Sequence, residues 1–500
     1  MTGIADMAEL SPGYQSSRYE AGALREARLA LPALLYVISV ATPILMRLGP
    51  LQMSLTRIIL LVMIVPLTVQ LFSGRFGRVL PVDILFFAYI GWMTLSMAIV
   101  NPDRAIENTG SAAIEFLGAY LIGRAYIRNS GNLIVLTKVI GIIILFTLPL
   151  ALVETITGQS FLINMIRKIP GISSYGNVNY ETRMGLERVQ TVFAHPIHHG
   201  LFCSMSFALI YVGLGRIMDS KTRRLYLLGA GLGTFLSLSS GALLALLLQV
   251  FLIAWGTVLS NVRRRWLILF GFFVFAYFAI DLFSNRSPIR VFMSYATFSP
   301  HNAYLRSIIF DWGLMNIMGN PAEGIPSAKW FGIGLNDWIR PHYMHSSSID
   351  NFWLVVAVRN GLPAFIIMAG GYIWLLWKVG RRDLGDDPIL LDLRRAWMIS
   401  FVGLTFTLAT VHIWGSLYSF VFFMFGAGAF FLSAEPEKQH GTPDPEPATS
   451  NPSRDSYTRF PKGSSVPERD RRLPAVPRPA LASRRTLAGR PAALPTRTRR

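Results

Sequence analysis

Thiols are nearly absent from this chain: a single cysteine, Cys203, stands among 500 residues. A disulfide framework and a thiolate metal site each need more than one, so both are excluded. Charge is scarce too. Asp, Glu, Lys and Arg make up 15% of the residues, against roughly 25% in a soluble domain. Acids are the rarer sign, 28 against 47 Lys plus Arg, which leaves a formal net charge of +19. No Gly-rich loop followed by Lys-Ser/Thr occurs, and no strand-borne dinucleotide fingerprint, so no nucleotide site supplies energy. Gly213-Leu-Gly215 and Gly231-Leu-Gly233 lie inside apolar runs, where glycine allows close helix packing rather than phosphate contact. Met1–Arg28 is polar and the first apolar run ends without a small-residue cleavage site, so a cleavable leader is not expected. No internal repeat is visible.

What remains is apolar. Hydrophobic residues make up 52% and the mean hydropathy is +0.43. About twelve runs approach the ~20 residues that cross a bilayer: 29–46, 55–72, 80–100, 108–127, 133–156, 198–216, 224–240, 241–260, 265–284, 351–378 (broken near Gly361-Leu-Pro363), 396–413 and 415–433. Lipid offers backbone groups no partner, so such runs are helices. The expected fold is an all-α polytopic membrane protein of about twelve transmembrane helices. A cytoplasmic segment 1–28 precedes the membrane domain 29–433. Residues 434–500 follow as a basic tail rich in Pro and Arg, too poor in large apolar residues to offset ordering entropy and therefore expected to be disordered.

Placing the N-terminus in the cytoplasm puts the cationic turns on one side: Arg75 and Arg78, Arg124 and Arg128, Arg216 to Arg224, Arg263 to Arg265, and Lys378 to Arg395. The opposite turns hold few cations, which is the positive-inside pattern. Both termini then lie in the cytoplasm, and two long segments, 158–196 and 284–349, face outward. Long inter-helix segments in an economical bundle usually carry function. The tail offers membrane lipids a cationic surface. With only Tyr457 and Phe460 interleaved, it lacks the stacking residues of a nucleic-acid binder, so nucleic acid is discounted as a partner.

The outer segments contain two recurring patterns. One reads Glu187-Arg188-Val-Gln-Thr-Val-Phe193-Ala-His195-Pro196-Ile-His198-His199-Gly200. The other runs from Arg306 through Gly332-Ile-Gly334 to Ser348-Ile-Asp350-Asn351-Phe-Trp, then Arg359-Asn-Gly361-Leu-Pro363. In this order, on a chain of this topology, they resemble the bacterial O-antigen ligase and polysaccharide polymerase family over residues 60–430. The resemblance implies a glycosyltransferase of the bacterial inner membrane with periplasmic catalytic loops. Its donor would be a lipid-linked oligosaccharide, the lipid an isoprenoid pyrophosphate. Its acceptor would be a growing polysaccharide or a lipid A-core, and it would use no cofactor.

The chemistry suits the residue types. Breaking a sugar–pyrophosphate bond develops charge on the leaving group, which fixed arginines stabilise bidentately. By motif, Arg188 and Arg306 are the pyrophosphate-binding candidates, with Arg306 also counted as catalytic. His195, Asn351 and the aromatic faces of Trp312 and Trp338 are candidates for glycan contact. The acceptor hydroxyl needs a base. O-antigen ligases carry a His immediately before the loop-terminal Asn, and here that slot is Asp350. Either this carboxylate or His345 serves as base, while Asp350 could equally be a helix N-cap. The departure favours a polymerase over a ligase, and a transporter or flippase is the alternative without chemistry. His195, His198 and His199 lack a carboxylate partner at ligand spacing, so no metal is expected. Glu115, deep in a run, is a further donor-site candidate.

Overall fold

The computed structural model describes residues 28–48, 51–177, 182–285, 287–295 and 300–435. The expected disordered tail, most of the N-terminal segment, and Arg286 lie outside them. The described chain is almost entirely helical. α1 (Leu31–Val40) leads to a two-stranded hairpin, β1 (Leu45–Leu48) and β2 (Leu51–Ser54), with Leu45 opposite Ser54. Next come α2 (Leu55–Phe72), α3 (Pro81–Val100) and α4 (Ala105–Ala113), which runs through a π-helical turn (Ile114–Gly118) into α5 (Ala119–Tyr126). Then follow α6 (Ser130–Thr157), α7 (Phe161–Arg167), α8 (Pro196–Ala208), α9 (Ser220–Leu236), α10 (Ser240–Val258) and α11 (Arg265–Phe283). The remaining helices are α12 (Pro288–Tyr295), α13 (Pro300–Met318), α14 (Phe352–Arg381), α15 (Pro388–Leu408) and α16 (Gly415–Ala427).

Start signals in the sequence act locally. Ser54, Asn129, Asp219, Ser239 and Asp387 each cap the helix that follows by accepting a backbone N–H. Among the described residues, seven helical segments are long and apolar enough to cross a membrane: Leu55–Phe72, Pro81–Val100, Ser130–Thr157, Ser240–Val258, Arg265–Phe283, Phe352–Arg381 and Gly415–Leu432. The protein is thus helical and membrane-like. The twelve expected runs all fall on helix, yet five do not meet both criteria. The run at 29–46 gives only ten helical residues, about 15 Å of rise, before the hairpin. Those at 108–127 and 198–216 are interrupted by π turns. The α9 helix has 17 residues and begins with Lys221, Arg223 and Arg224, and α15 carries Asp392, Arg394 and Arg395 early.

Burial separates the core from the apolar periphery. From Phe420 to Phe425 every side chain of α16 is buried. This helix lies so close to α5 that a Cβ at Gly123 would overlap the Phe423 carbonyl, the small-residue contact common between membrane helices. By contrast α11 is apolar yet buries only Leu269; its exposed surface is dominated by Phe, Leu, Ile and Val, which suits lipid. At one end of the bundle Arg124 donates to the Phe76 and Arg78 carbonyls at 3.3 and 3.0 Å, and Arg128 to that of Arg75 at 3.2 Å. The 28 residues of α6 rise about 42 Å from that end to the segment 158–196.

The segment 284–349 is not simply a loop: it contains α12 and α13. Gly313 of α13 packs directly on Leu354 of α14. Below that contact α14 breaks as expected, Gly361 adopting φ +82° and ψ 170°. Pro363 has no N–H, and Leu362 turns its own to the Lys329 carbonyl at 2.8 Å, so the carbonyls of Val358 and Arg359 lose their helical donors. The Gly332 turn replaces them. Ile333 donates to the Val358 carbonyl at 2.8 Å and Gly334 to that of Arg359 at 3.0 Å. Arg359 answers with Nη1 on the Gly334 and Asn336 carbonyls, both at 2.8 Å, and the Trp92 indole N–H reaches the Asn360 carbonyl at 3.1 Å. A Cβ at Gly361 would overlap Trp330, and one at Gly332 would overlap Arg359. The Gly-x-Gly and Gly-Leu-Pro motifs are therefore two halves of one interlock.

Candidate functional site

The Arg188 segment is clamped at the end of α6. Glu154 accepts the backbone N–H groups of Gln190 at 2.7 Å and Thr191 at 3.0 Å. Glu187 and Thr155 exchange bonds, and Val189 donates to the Leu236 carbonyl at 3.2 Å. Thr191 is held at φ +48°, a costly conformation for a β-branched residue. Its Oγ1 sits 2.9 Å from His199 Nδ1, and Ser160 donates to its carbonyl. Leu45 of β1 bonds both ways with Ser173, which ties the hairpin to the same segment. The order thus imposed fixes Arg188 and His195 at one end of the bundle. His195 caps α8, its Nδ1 accepting the Ile197 N–H at 3.0 Å, so a neutral ring carries its proton on Nε2. Burial, and next the charge of Arg188, push the His195 pKa down to about 4.

Arg306, in the second turn of α13, is half-buried, and its buried Nη1 has no hydrogen-bond partner among the described residues. Burial lowers its pKa from the usual arginine value, the Asp350 carboxylate opposes that shift, and the like charge of Arg183 adds to it. Asp350 is therefore within electrostatic reach of Arg306. It is not the N-cap of α14. That role belongs to Asn351, whose side chain accepts the Leu354 N–H at 3.0 Å, while Asp350 accepts only the Ser348 hydroxyl at 2.7 Å. The carboxylate keeps further lone pairs for other partners.

A third segment joins these two. The Phe352 N–H donates to the Val411 carbonyl at 3.0 Å, which brings the 411–414 link between α15 and α16 against the exit of the segment 284–349. His412 in that link feels Asp350. Burial lowers its pKa to about 4, against the pull of Asp350 and with the push of Arg359. The Trp414 ring lies 5.5 Å from that of His195, 4.2 Å from His198 and 5.9 Å from His412. Three stretches distant in sequence, around 183–199, 306–350 and 411–414, thus meet at one end of the bundle. His412 stood out in the sequence only as an ionisable residue late in the run 396–413. Trp414 carried no signal beyond lying in the short link that follows that run.

Other candidates lie elsewhere. Trp338 offers no face to a glycan: it is 2% exposed, and its indole N–H donates to the Ser347 carbonyl at 3.0 Å. Trp312 is half-buried against the same apolar cluster. Asn351 is buried and committed to its cap, which leaves its side-chain oxygen little to give a sugar. His345 is exposed, and the charge that reaches Arg306 and His412 is that of Asp350. Glu115 lies in the π turn and binds Arg57 through two contacts of 3.1 and 2.6 Å. A recess of about 490 Å³ is lined by Trp330, Phe331, Ile333 and Asn336. It belongs to the helix interlock rather than to the Arg306–Asp350 group. Among the described residues no group of three or more His, Cys, Asp or Glu is placed to hold a metal ion.

These features define a class: a helical membrane protein with arginines, a carboxylate and neutral imidazoles gathered at one end. No protein-family model and no curated protein matches the chain.

Proposed function

We propose that the protein is an integral membrane glycosyltransferase. It moves glycan from an isoprenoid pyrophosphate donor to an acceptor sugar hydroxyl at the outer face of the inner membrane, most simply as an exopolysaccharide or O-antigen polymerase. The observation that carries this reading is the grouping of Arg306, Asp350 and His412, with Arg188 beside His195, at one end of the bundle. Arg188 and Arg306 hold the pyrophosphate oxygens and stabilise the charge that grows as the anomeric C–O bond breaks. Asp350 takes the proton of the attacking acceptor hydroxyl, whose oxygen forms the new bond to the anomeric carbon. Pyrophosphate leaves on its lipid, so the donor supplies all the energy and no cofactor is needed. Of the two base candidates, Asp350 is favoured over the exposed His345 because it shares the field of Arg306. The cationic turns gathered at the opposite end support a cytoplasmic assignment for that end, with both termini there.

The test is purified protein in lipid discs supplied with lipid-linked oligosaccharide. A ladder of products supports the polymerase. A single transfer that requires lipid A-core replaces it with a ligase. Movement of the donor across vesicles without any transfer overturns the enzyme in favour of a flippase.

A further inference from the structure

A buried polar atom without a partner is unfavourable and points to a missing ligand. His198 carries two: it is 1% exposed, and among the described residues neither ring nitrogen has a hydrogen-bond partner. The Nδ1 of His412 is in the same state. Between them stands Trp414, 42% exposed, set edge-on to His198 and nearly parallel to His412. The arrangement joins a partly open aromatic surface to unused hydrogen-bonding groups, with no cation among the three.

A neutral imidazole offers one N–H donor and one lone-pair acceptor, matching hydroxyls, which both give and accept. An anion would call for donors only, and an acyl chain would leave the nitrogens unpaired. The indole suits the apolar face of a pyranose. Charges lie next door rather than inside, Arg188 at His195 and Asp350 at His412.

We propose that Trp414, His198 and His412 form a binding subsite for an uncharged sugar residue beside the Arg306–Asp350 pair. Naming that residue the acceptor end of the glycan rests on the glycosyltransferase reading; the binding itself does not. The site differs from the aromatic candidates of the outer segment because it draws on the α15–α16 link.

The experiment places p-benzoyl-phenylalanine at position 414 of the full-length protein in polysaccharide-producing cells. After irradiation, the purified protein is stained for periodate-oxidisable glycan. The same group at Trp330, which is 62% exposed in the Gly332 turn, is the control. At least tenfold more glycan on the 414 variant is expected. Equal staining at both positions, an adduct carrying only lipid or protein, or no adduct overturns the subsite. Should the 414 variant fail to insert, hydroxyl-radical oxidation of Trp414 in the wild-type protein decides. Membranes from glycan-producing cells should show at least threefold protection relative to membranes from cells blocked in glycan synthesis, and equal oxidation overturns the proposal. Glycan on the 414 variant with no transfer by the wild-type protein leaves the subsite and removes the enzyme. Transfer by the wild type without glycan at 414 does the reverse.

Discussion

Two polar regions of this bundle contrast. In the Gly332–Gly361 interlock, broken-helix carbonyls receive donors from the segment 284–349, and Arg359 returns two bonds. In the group around Asp350, buried nitrogens of Arg306, His198 and His412 have none among the described residues. Both regions use polar groups at the bundle's surface, and both carry motif residues. Donors on the Val358, Arg359 and Asn360 carbonyls mark the interlock as architecture, because such a network rigidifies the backbone, although Asn360 Oδ1 has no partner among the described residues. Unused donors and acceptors mark the other as a place kept for something that arrives.

That contrast can be broken by mutation. The largest effect is expected at the interlock: Gly361→Ala sets a Cβ against Trp330 in a left-handed backbone and should cost on the order of 3 kcal/mol or more. The expected result is loss of folded protein by size-exclusion in detergent, and a variant with wild-type thermal stability would erase the distinction. Arg306→Ala should act oppositely, lowering transfer about 10²–10³-fold while the melting temperature stays unchanged or rises, since a buried nitrogen without a partner disappears. Normal glycan output from it and from Arg188→Ala would sink the enzymatic proposal.

Smaller effects sharpen the comparison inside a single dipeptide. Asp350→Asn should lower turnover about 10²-fold or more with stability intact. Asn351→Ala should cost about 1 kcal/mol of stability through the lost cap, and equal activity losses in both variants would merge the two roles. The smallest effect is one of pH. His195 and His412 have folded pKa values lowered to about 4, below the ordinary ~6.5. Between those values the unfolded chain binds more protons, so stability is present above pH 6.5 and is lost as pH falls toward 4. The melting temperature should fall between pH 7.5 and 5, and less so in His412→Ala.

Much of the frame was legible in the sequence. Apolar runs foretold helices such as Pro81–Val100 and Arg265–Phe283 nearly to the residue, because in lipid the backbone must satisfy itself. The break at Gly361 was legible from its proline. Of the candidate group, Arg188, Arg306 and Asp350 stood out as ionisable residues in the two long inter-helix segments and at the exit of the second. Trp338 lies in the core, and composition cannot distinguish a platform from a core residue. Asn351 caps α14, and cap and ligand contact call for the same side chain.

The sequence by itself determined that the chain is helical and membrane-like, where several of its long helices run, and which segments carry charge, since these follow from local hydropathy and proline. Only the tertiary structure decided that the Gly332 turn closes the break in α14, that Asn351 rather than Asp350 is the cap, and that Trp414 and His412 join the arginines. Those outcomes depend on contacts between residues tens to hundreds of positions apart, which no local pattern encodes.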